Sequence, residues 1–331
     1  MADRRVELVE AAYDLDIAEP EWLTEIGRPL RESLDQAVSC FTFEVDRRNG
    51  ELVLGHHDAE NPEVIAQLRR SFAEVPRSVL DVFFAGPLQA KSSAQLLAES
   101  GIDIDSTVLP DAYAKAGFKD VFSMSAFDPL AGGVILGVGL RERVSPPAAQ
   151  RLMWTQVAAH VAAGLRLRRR LGKQPAIEQA TAVLRPDGKL EHAEPEVDAK
   201  LREFLREAVH RVELARTRGR ATHEALELWQ ALIAGSWSLV DHFEGSGRRC
   251  YVAVRNAPEV AQSKALSRRE AEVVSYIACG TGTRATAYAL GLDLTTVRGY
   301  LRTAMRKLGF RSRAQLITLR ATLLASAQIE P

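Results

Sequence analysis

Apolar side chains recur along the chain with two different spacings, and the changes between them mark its elements. Strand-like runs cover residues 38–45 and 51–57, joined by Asp46-Arg47-Arg48-Asn49-Gly50, and an Asn-Gly pair between two such runs predicts a β-hairpin. An acidic amphipathic segment precedes this hairpin. Helical stretches follow it at 62–72 and 76–84, with further helical turns before Phe118. Two more strand-like runs, 121–127 and 133–140, flank Asp128-Pro129-Leu130-Ala131-Gly132. Residues 146–171 then predict a long helix with Trp154, Val157, Val161 and Leu165 along one side. Paired strands around a helical middle make residues 1–172 an antiparallel α+β domain.

Arg166, Arg168, Arg169 and Arg170 end the long helix just before Gly172-Lys173-Gln174-Pro175, which reads as a domain boundary. Cations there suit the negative end of the helix dipole, with DNA contact as the alternative. Residues 176–260 form a second unit. It opens with a hairpin over 182–191 around Asp187-Gly188 and continues with Val197, Leu201, Phe204, Leu205, Ala208, Val212 and Ala215 at helical spacing. A second hairpin, 236–243 and 249–255 across Gly245-Ser246-Gly247, closes it. The layout of 1–172 resembles a GAF-type sensor domain; that of 176–260 resembles a reduced PAS-like module, with a helical dimerisation or linker segment as the alternative. The first resemblance implies a small-molecule pocket between sheet and helices. Phe41, Phe43, Phe83, Phe122 and Phe127 are candidates to line it, although ordinary core aromatics would show the same pattern.

The C-terminal part, 264–328, reads as four short helices. Ser267-Arg268-Arg269-Glu270 and Ser312-Arg313-Ala314-Gln315 both fit the S-x-x-E/Q capping box, and Asp293 is a good N-cap. Gly280 closes the first helix, the second runs from Thr283 to Leu290-Gly291, and only a tight turn fits before the third. Two helices joined in this way form a helix-turn-helix, whose second helix lies in the major groove. In residues 294–308, Val297, Leu301, Met305 and Leu308 face inward, while Arg298, Arg302 and Arg306 make an outward stripe with no acidic partner on it. Such a stripe can meet phosphates and the acceptor edge of guanine; a solvated basic face is the alternative.

These residues resemble a known family. Leu266-Ser267-Arg268-Arg269-Glu270-Ala271-Glu272-Val273-Val274, Ala278-Cys279-Gly280, Ala287-Tyr288-Ala289-Leu290-Gly291-Leu292, Thr296-Val297-Arg298 and Arg306-Lys307-Leu308-Gly309-Phe310-Arg311-Ser312-Arg313 look like a LuxR-type helix-turn-helix domain without gaps. The resemblance implies a four-helix DNA-binding module that acts as a dimer. Carried over by position, Arg298, Gly299 and Arg302 would face base edges, and Thr283, Thr295, Thr296, Arg306 and Lys307 would lie near phosphates, with Arg284 in the same DNA-binding set. Ala285, Thr286 and Tyr300 depart from the family's usual Glu, Ile and His, and Gly299 costs helix propensity.

Charge sharpens this picture. The chain has 331 residues and 43 Lys+Arg against 43 Asp+Glu, a net charge of zero that on its face argues against a nucleic-acid binder. Resolved along the chain, the last 68 residues hold 11 basic and 4 acidic side chains, net +7, leaving −7 on the rest. A basic tail domain thus sits behind an acidic body.

Other chemistry finds little support. Cys40, Cys250 and Cys279 lie far apart with no C-x-x-C pair, so neither a disulfide framework nor a zinc site is suggested. The adjacent His56 and His57 point to opposite faces of a strand without a Cys/His cluster nearby, so no metal site is expected. Common catalytic motifs are absent, and no enzyme or cofactor is expected. Residues 1–7 lack a signal-peptide layout and the longest apolar run, 130–140, is too short to span a bilayer; a soluble cytoplasmic protein is expected. The expectation is an α+β sensor-like body controlling an all-α helix-turn-helix. Double-stranded DNA, a second copy of the chain and a small-molecule effector are its expected partners. The alternative is a ligand-binding or protein-interaction module whose helix-turn-helix has lost sequence-specific DNA recognition.

Overall fold

The computed structural model describes residues 4–48, 51–84, 86–129, 132–172, 177, 180–214, 237–243, 248–256, 260, 265–310, 312 and 315–316. The architecture is α+β, with two antiparallel sheets and a helical C-terminal region.

The acidic opening segment folds as α1 (Arg4–Ala12) and α2 (Glu19–Glu32). The first hairpin is β1 (Ala37–Arg48) with β2 (Glu51–Ala59), longer than the apolar runs alone suggest. Pairing continues through the polar residues to Arg48 opposite Glu51; the Asn49-Gly50 turn lies outside the described residues. Helices α3 (Pro62–Glu74) and α4 (Arg77–Phe83) follow. Next come β3 (Leu88–Ser92), α5 (Ser93–Glu99), a 3-10 turn at Ile104–Ser106 and α6 (Leu109–Lys115). The β4 (Asp120–Asp128) and β5 (Gly132–Leu140) hairpin and α7 (Ala148–Leu171) complete the unit. The sheet order is β2-β1-β5-β4-β3. Strand β3 falls where only helical turns are expected. It is a five-residue edge strand in which Lys91 is one of the polar residues, too short to generate a clear two-residue alternation.

Each face of this sheet carries its own core. Cys40, Phe122, Met124, Val134, Leu136 and Val138 pack with Trp22, Leu23, Ile26, Trp154, Val157 and Val161, under α1, α2 and α7. On the other face Phe41, Phe43, Val45, Phe127 and Ile135 meet Val64, Leu68, Val79, Leu97 and Tyr113 from α3 to α6. Strand β5 is buried on both faces, hence its unbroken apolar run. Gly137 there is required by close packing: a Cβ would lie 2.2 Å from the Phe41 ring.

The middle unit is a sheet of order β7-β6-β9-β8: β6 (Ala182–Leu184), β7 (Leu190–Ala193), β8 (Trp237–Phe243) and β9 (Arg249–Arg255). Gly188, at φ +81°, makes the turn after Asp187. Helix α8 (Ala199–Leu214) buries Leu205, Ala208, Val209 and Val212 in the core that also contains Leu184, Val240 and Tyr251. Glu213 at its end accepts from Arg249 Nη2 at 2.8 Å and from the Tyr251 hydroxyl. Ala215, Ser236 and the Gly245-Ser246-Gly247 turn lie outside the described residues.

Helices α9 (Arg268–Ala278), α10 (Thr283–Ala289) and α11 (Leu294–Lys307) form the C-terminal region. Both halves of the Ser267/Glu270 capping box are made. Gly280 (φ +92°) and Gly291 (φ +61°) turn the chain out of α9 and α10 in the left-handed region that favours glycine. For the expected fourth helix, Ser312 N donates to Gln315 Oε1 at 3.1 Å and Gln315-Leu316 are helical; Arg313, Ala314 and the residues beyond 316 lie outside the described residues.

Candidate nucleic-acid interface

Helix α11 is fixed at both ends by side chains. Asp293 Oδ2 accepts from the Thr296 hydroxyl and Oδ1 from Thr296 N at 2.8 Å, and these bonds hold the Asp293 carboxyl below its usual range. At the far end Lys307 Nζ donates to Glu270 Oε2 at 2.7 Å, tying the last turn of α11 to the first turn of α9. Hydrogen bonds from Lys307 and Ser267 keep the Glu270 carboxyl low and charged. The inner side of α11 places Val297 and Ala304 fully in the core, with Leu301, Met305 and Leu308 partly covered.

The opposite side carries the charge. Arg298, Arg302 and Arg306 are all exposed, successive at four-residue spacing, as are Thr295 and Lys307. Gly299 is half-buried, and a Cβ there would stand in open space. Thr283 and Arg284 open α10, the former half-buried and the latter exposed; Thr296 is half-buried with its hydroxyl on Asp293. Among the described residues, Lys307 differs from the other cations of the set in having a carboxylate partner within the domain. Ala285 and Thr286 are buried, so these two departures from the family pattern affect packing rather than the exposed face.

The inner side of the helix-turn-helix rests on the body, an arrangement that sequence periodicity did not reveal. Tyr288 of α10 meets His160 of α7, its hydroxyl 2.8 Å from Nε2, and the hydroxyl of Tyr13, just after α1, lies 3.4 Å from Nδ1. Burial drops the imidazole pKa to about 3, so the ring is neutral, with one nitrogen donating and the other accepting. Beside it, Asp128 at the end of β4 pairs with Arg166, whose Nε donates to Asn256 Oδ1 at 3.2 Å and whose side chain also reaches Tyr276 of α9. Burial opposes the Arg166 charge, but Asp128 and Tyr276 outweigh it and the pKa rises. Asn256 Nδ2 in turn donates to Ala163 O and Ser238 Oγ, both at 2.8 Å. The Arg166 group thus joins both sheets, α7 and α9, while the His160–Tyr288 contact separately seats α10 on α7. A histidine within Ala158-Ala159-His160-Val161-Ala162-Ala163 was the visible signal; its partners, 147 and 128 residues away, were not.

A second feature lies on the α3 side of the first sheet. Phe43, Leu54, Gly55, His57, Ile65, Leu68 and Arg69 line a shallow apolar crevice that is open to solvent. Of the five phenylalanines proposed for a pocket, Phe43 alone lines it. Phe41 stacks beside Phe43, Phe127 stacks on Phe84 and Phe83 packs against that same core; Phe122 is on the opposite face of the sheet, because residues 122 and 127 differ by an odd number along β4.

A short helix, a glycine turn and a second, Asp293-capped helix with an exposed arginine stripe define a helix-turn-helix of the kind found in bacterial transcription regulators. Residues 264–320 match the family described as bacterial regulatory proteins, luxR family, and this segment is a LuxR-type domain. No curated protein matches the chain. Among solved structures, the chain is similar to Escherichia coli SdiA at 12% identity and a TM-score of 0.37, covering 99% of this chain and 98% of that one. A structure of SdiA in complex with octanoyl-rac-glycerol aligns at 12% identity and a TM-score of 0.32, covering 97% and 93%. No helix among the described residues is long and apolar enough to cross a membrane.

Proposed function

We propose that this protein is a DNA-binding transcription regulator, not an enzyme, in which residues 1–172 and 176–260 form a sensing body for the LuxR-type domain at 264–328. The observation that carries this reading is the exposed Arg298/Arg302/Arg306 stripe on a helix held at both ends within that domain. In this reading Arg298, Gly299 and Arg302 approach base edges in the major groove. Thr283, Arg284, Thr295, Thr296, Arg306 and Lys307 lie along the phosphates. A homodimer in the cytoplasm would present two such helices to one operator.

The body's share of the reading rests on the crevice. Its apolar walls, with His57 and Arg69 among them, suit a small molecule that has an apolar part and a polar or anionic end. Helix α7 backs the sheet and carries His160, so an effector that shifts the sheet can bias how α10 is seated, by no more than its differential affinity for the two arrangements.

Fluorescence anisotropy of the full chain on promoter fragments of its source genome tests the function. Saturable binding that weakens with salt is expected, and no salt-dependent DNA binding by a folded full chain would overturn it in favour of the interaction-module alternative.

A further inference from the structure

On the face of the first sheet that turns away from the crevice, Glu44 of β1 is buried, but only half of its carboxylate is bonded. Its Oε2 lies 3.2 Å from His56 Nδ1, whereas its buried Oε1 has no hydrogen-bond partner among the described residues. The nearest guanidinium, that of Arg169, stands 3.8 Å from this oxygen and is bonded at 2.8 Å to Asp46. Arg168 donates to the carbonyls of Asp14 and Ile17 and lies over Trp22. These two cations moderate the negative charge of the cluster without filling it.

Glu19, the first residue of α2, brings a second carboxylate, and one ligand atom each from Glu19, Glu44 and His56 lie within 4.8 Å of one another. Three separate elements meet here because the β1–β2 ladder slips by one residue. Phe43 pairs with His57 but Val45 pairs with Leu54, so Gly55 and His56 together oppose Glu44. A bulge of this kind re-aims a side chain. Gly55 allows the close approach, since a Cβ there would sit 3.2 Å from that of Glu44.

We propose that Glu19, Glu44 and His56 form a binding site for one divalent transition-metal ion, with zinc the best match. Two carboxylate oxygens and an imidazole nitrogen are a mixed donor set that suits zinc, whereas magnesium and calcium favour all-oxygen shells. The Glu44–His56 separation of 3.2 Å is already that of two neighbouring ligands on a tetrahedral ion, for which bonds of about 2.0 Å give about 3.3 Å. With the His56 side chain 61% exposed, the fourth position opens to water and the ion exchanges readily. Bound metal would pin the start of α2 to the hairpin whose other face supplies Phe43, Leu54 and His57 to the crevice, so occupancy would stiffen one crevice wall.

The test is calorimetric titration of chelator-stripped full-length protein with Zn2+ and, in parallel, Mg2+. One Zn2+ per chain is expected, with no Mg2+ bound in the same range. His56→Ala and Glu19→Ala, both outside the core, should each weaken Zn2+ roughly tenfold or more, while His192→Ala on β7 should bind as the parent does. Co2+ in place of zinc should show ligand-field bands without thiolate charge transfer. Absence of saturable Zn2+ binding, unchanged binding in His56→Ala, or a thiolate band would each overturn the proposal.

Discussion

Arg298 and Arg302 differ from Lys307 in what they are free to do, and their substitutions should differ accordingly. Both arginines are exposed on the outer face of α11, and Arg298→Ala or Arg302→Ala should cut the preference for a selected operator over random DNA by about 1–3 kcal/mol, read as a specificity ratio in competition anisotropy. Lys307 already donates to Glu270, so Lys307→Ala should weaken all sequences evenly and by less, with a slightly lower thermal midpoint as α11 loses its tie to α9. Among these residues, type and spacing were legible from the chain because a helical face follows from local periodicity. The engagement of Lys307 was not, since its partner is 37 positions earlier on another helix.

Helices and strands show where local signals suffice. The Ser267 box and the Asp293 cap appear as expected, and Ser267→Ala should cost about 1 kcal/mol in chemical denaturation of the full chain. Gly137→Ala should cost more, about 1–3 kcal/mol, because a methyl group would press on the Phe41 ring in a core with no slack. Neither the edge strand β3 nor the exact lining of the crevice could be read from apolar runs. A five-residue strand gives too few alternations, and the Phe122 assignment depends on a pleat fixed only once β4 pairs with β3 and β5. Likewise His56 and His57 were placed on opposite faces by strand geometry, but the carboxylates that meet His56 come from β1 and α2.

Across the whole molecule, the division into an acidic body and a basic domain gives way to a more specific arrangement. The contacts between them include the Tyr288–His160 pair, the Tyr276–Arg166–Asp128 group and the Cys279 thiol at 3.9 Å from Pro129 O, while the arginine stripe stays exposed. Seating therefore depends on His160 remaining neutral between Tyr13 and Tyr288, with Arg166 the nearby cation acting on Tyr13. Its seated pKa of about 3 is below the ordinary value of 6.5, so an opened state binds the proton more readily. The stabilisation is complete above pH 6.5 and falls by about 1.4 kcal/mol per unit as pH drops toward 3. Hydrogen exchange should accordingly show faster opening of α10 and the middle of α7 at pH 5 than at pH 7, and Tyr288→Phe should speed opening at both. A flat response from pH 7 to 5 would mean that the interface does not depend on this histidine.

Periodicity, capping residues and charge counted along the chain determined the α+β body, the helix-turn-helix and its arginine face, because each is set by neighbours within a turn or a strand. Tertiary structure alone decided which face of the sheet holds the crevice, that α10 is seated on α7, and that Glu19, Glu44 and His56 converge. Those depend on pairings between residues tens to more than a hundred positions apart, where burial and hydrogen bonding choose the partner and local sequence carries no record of the choice.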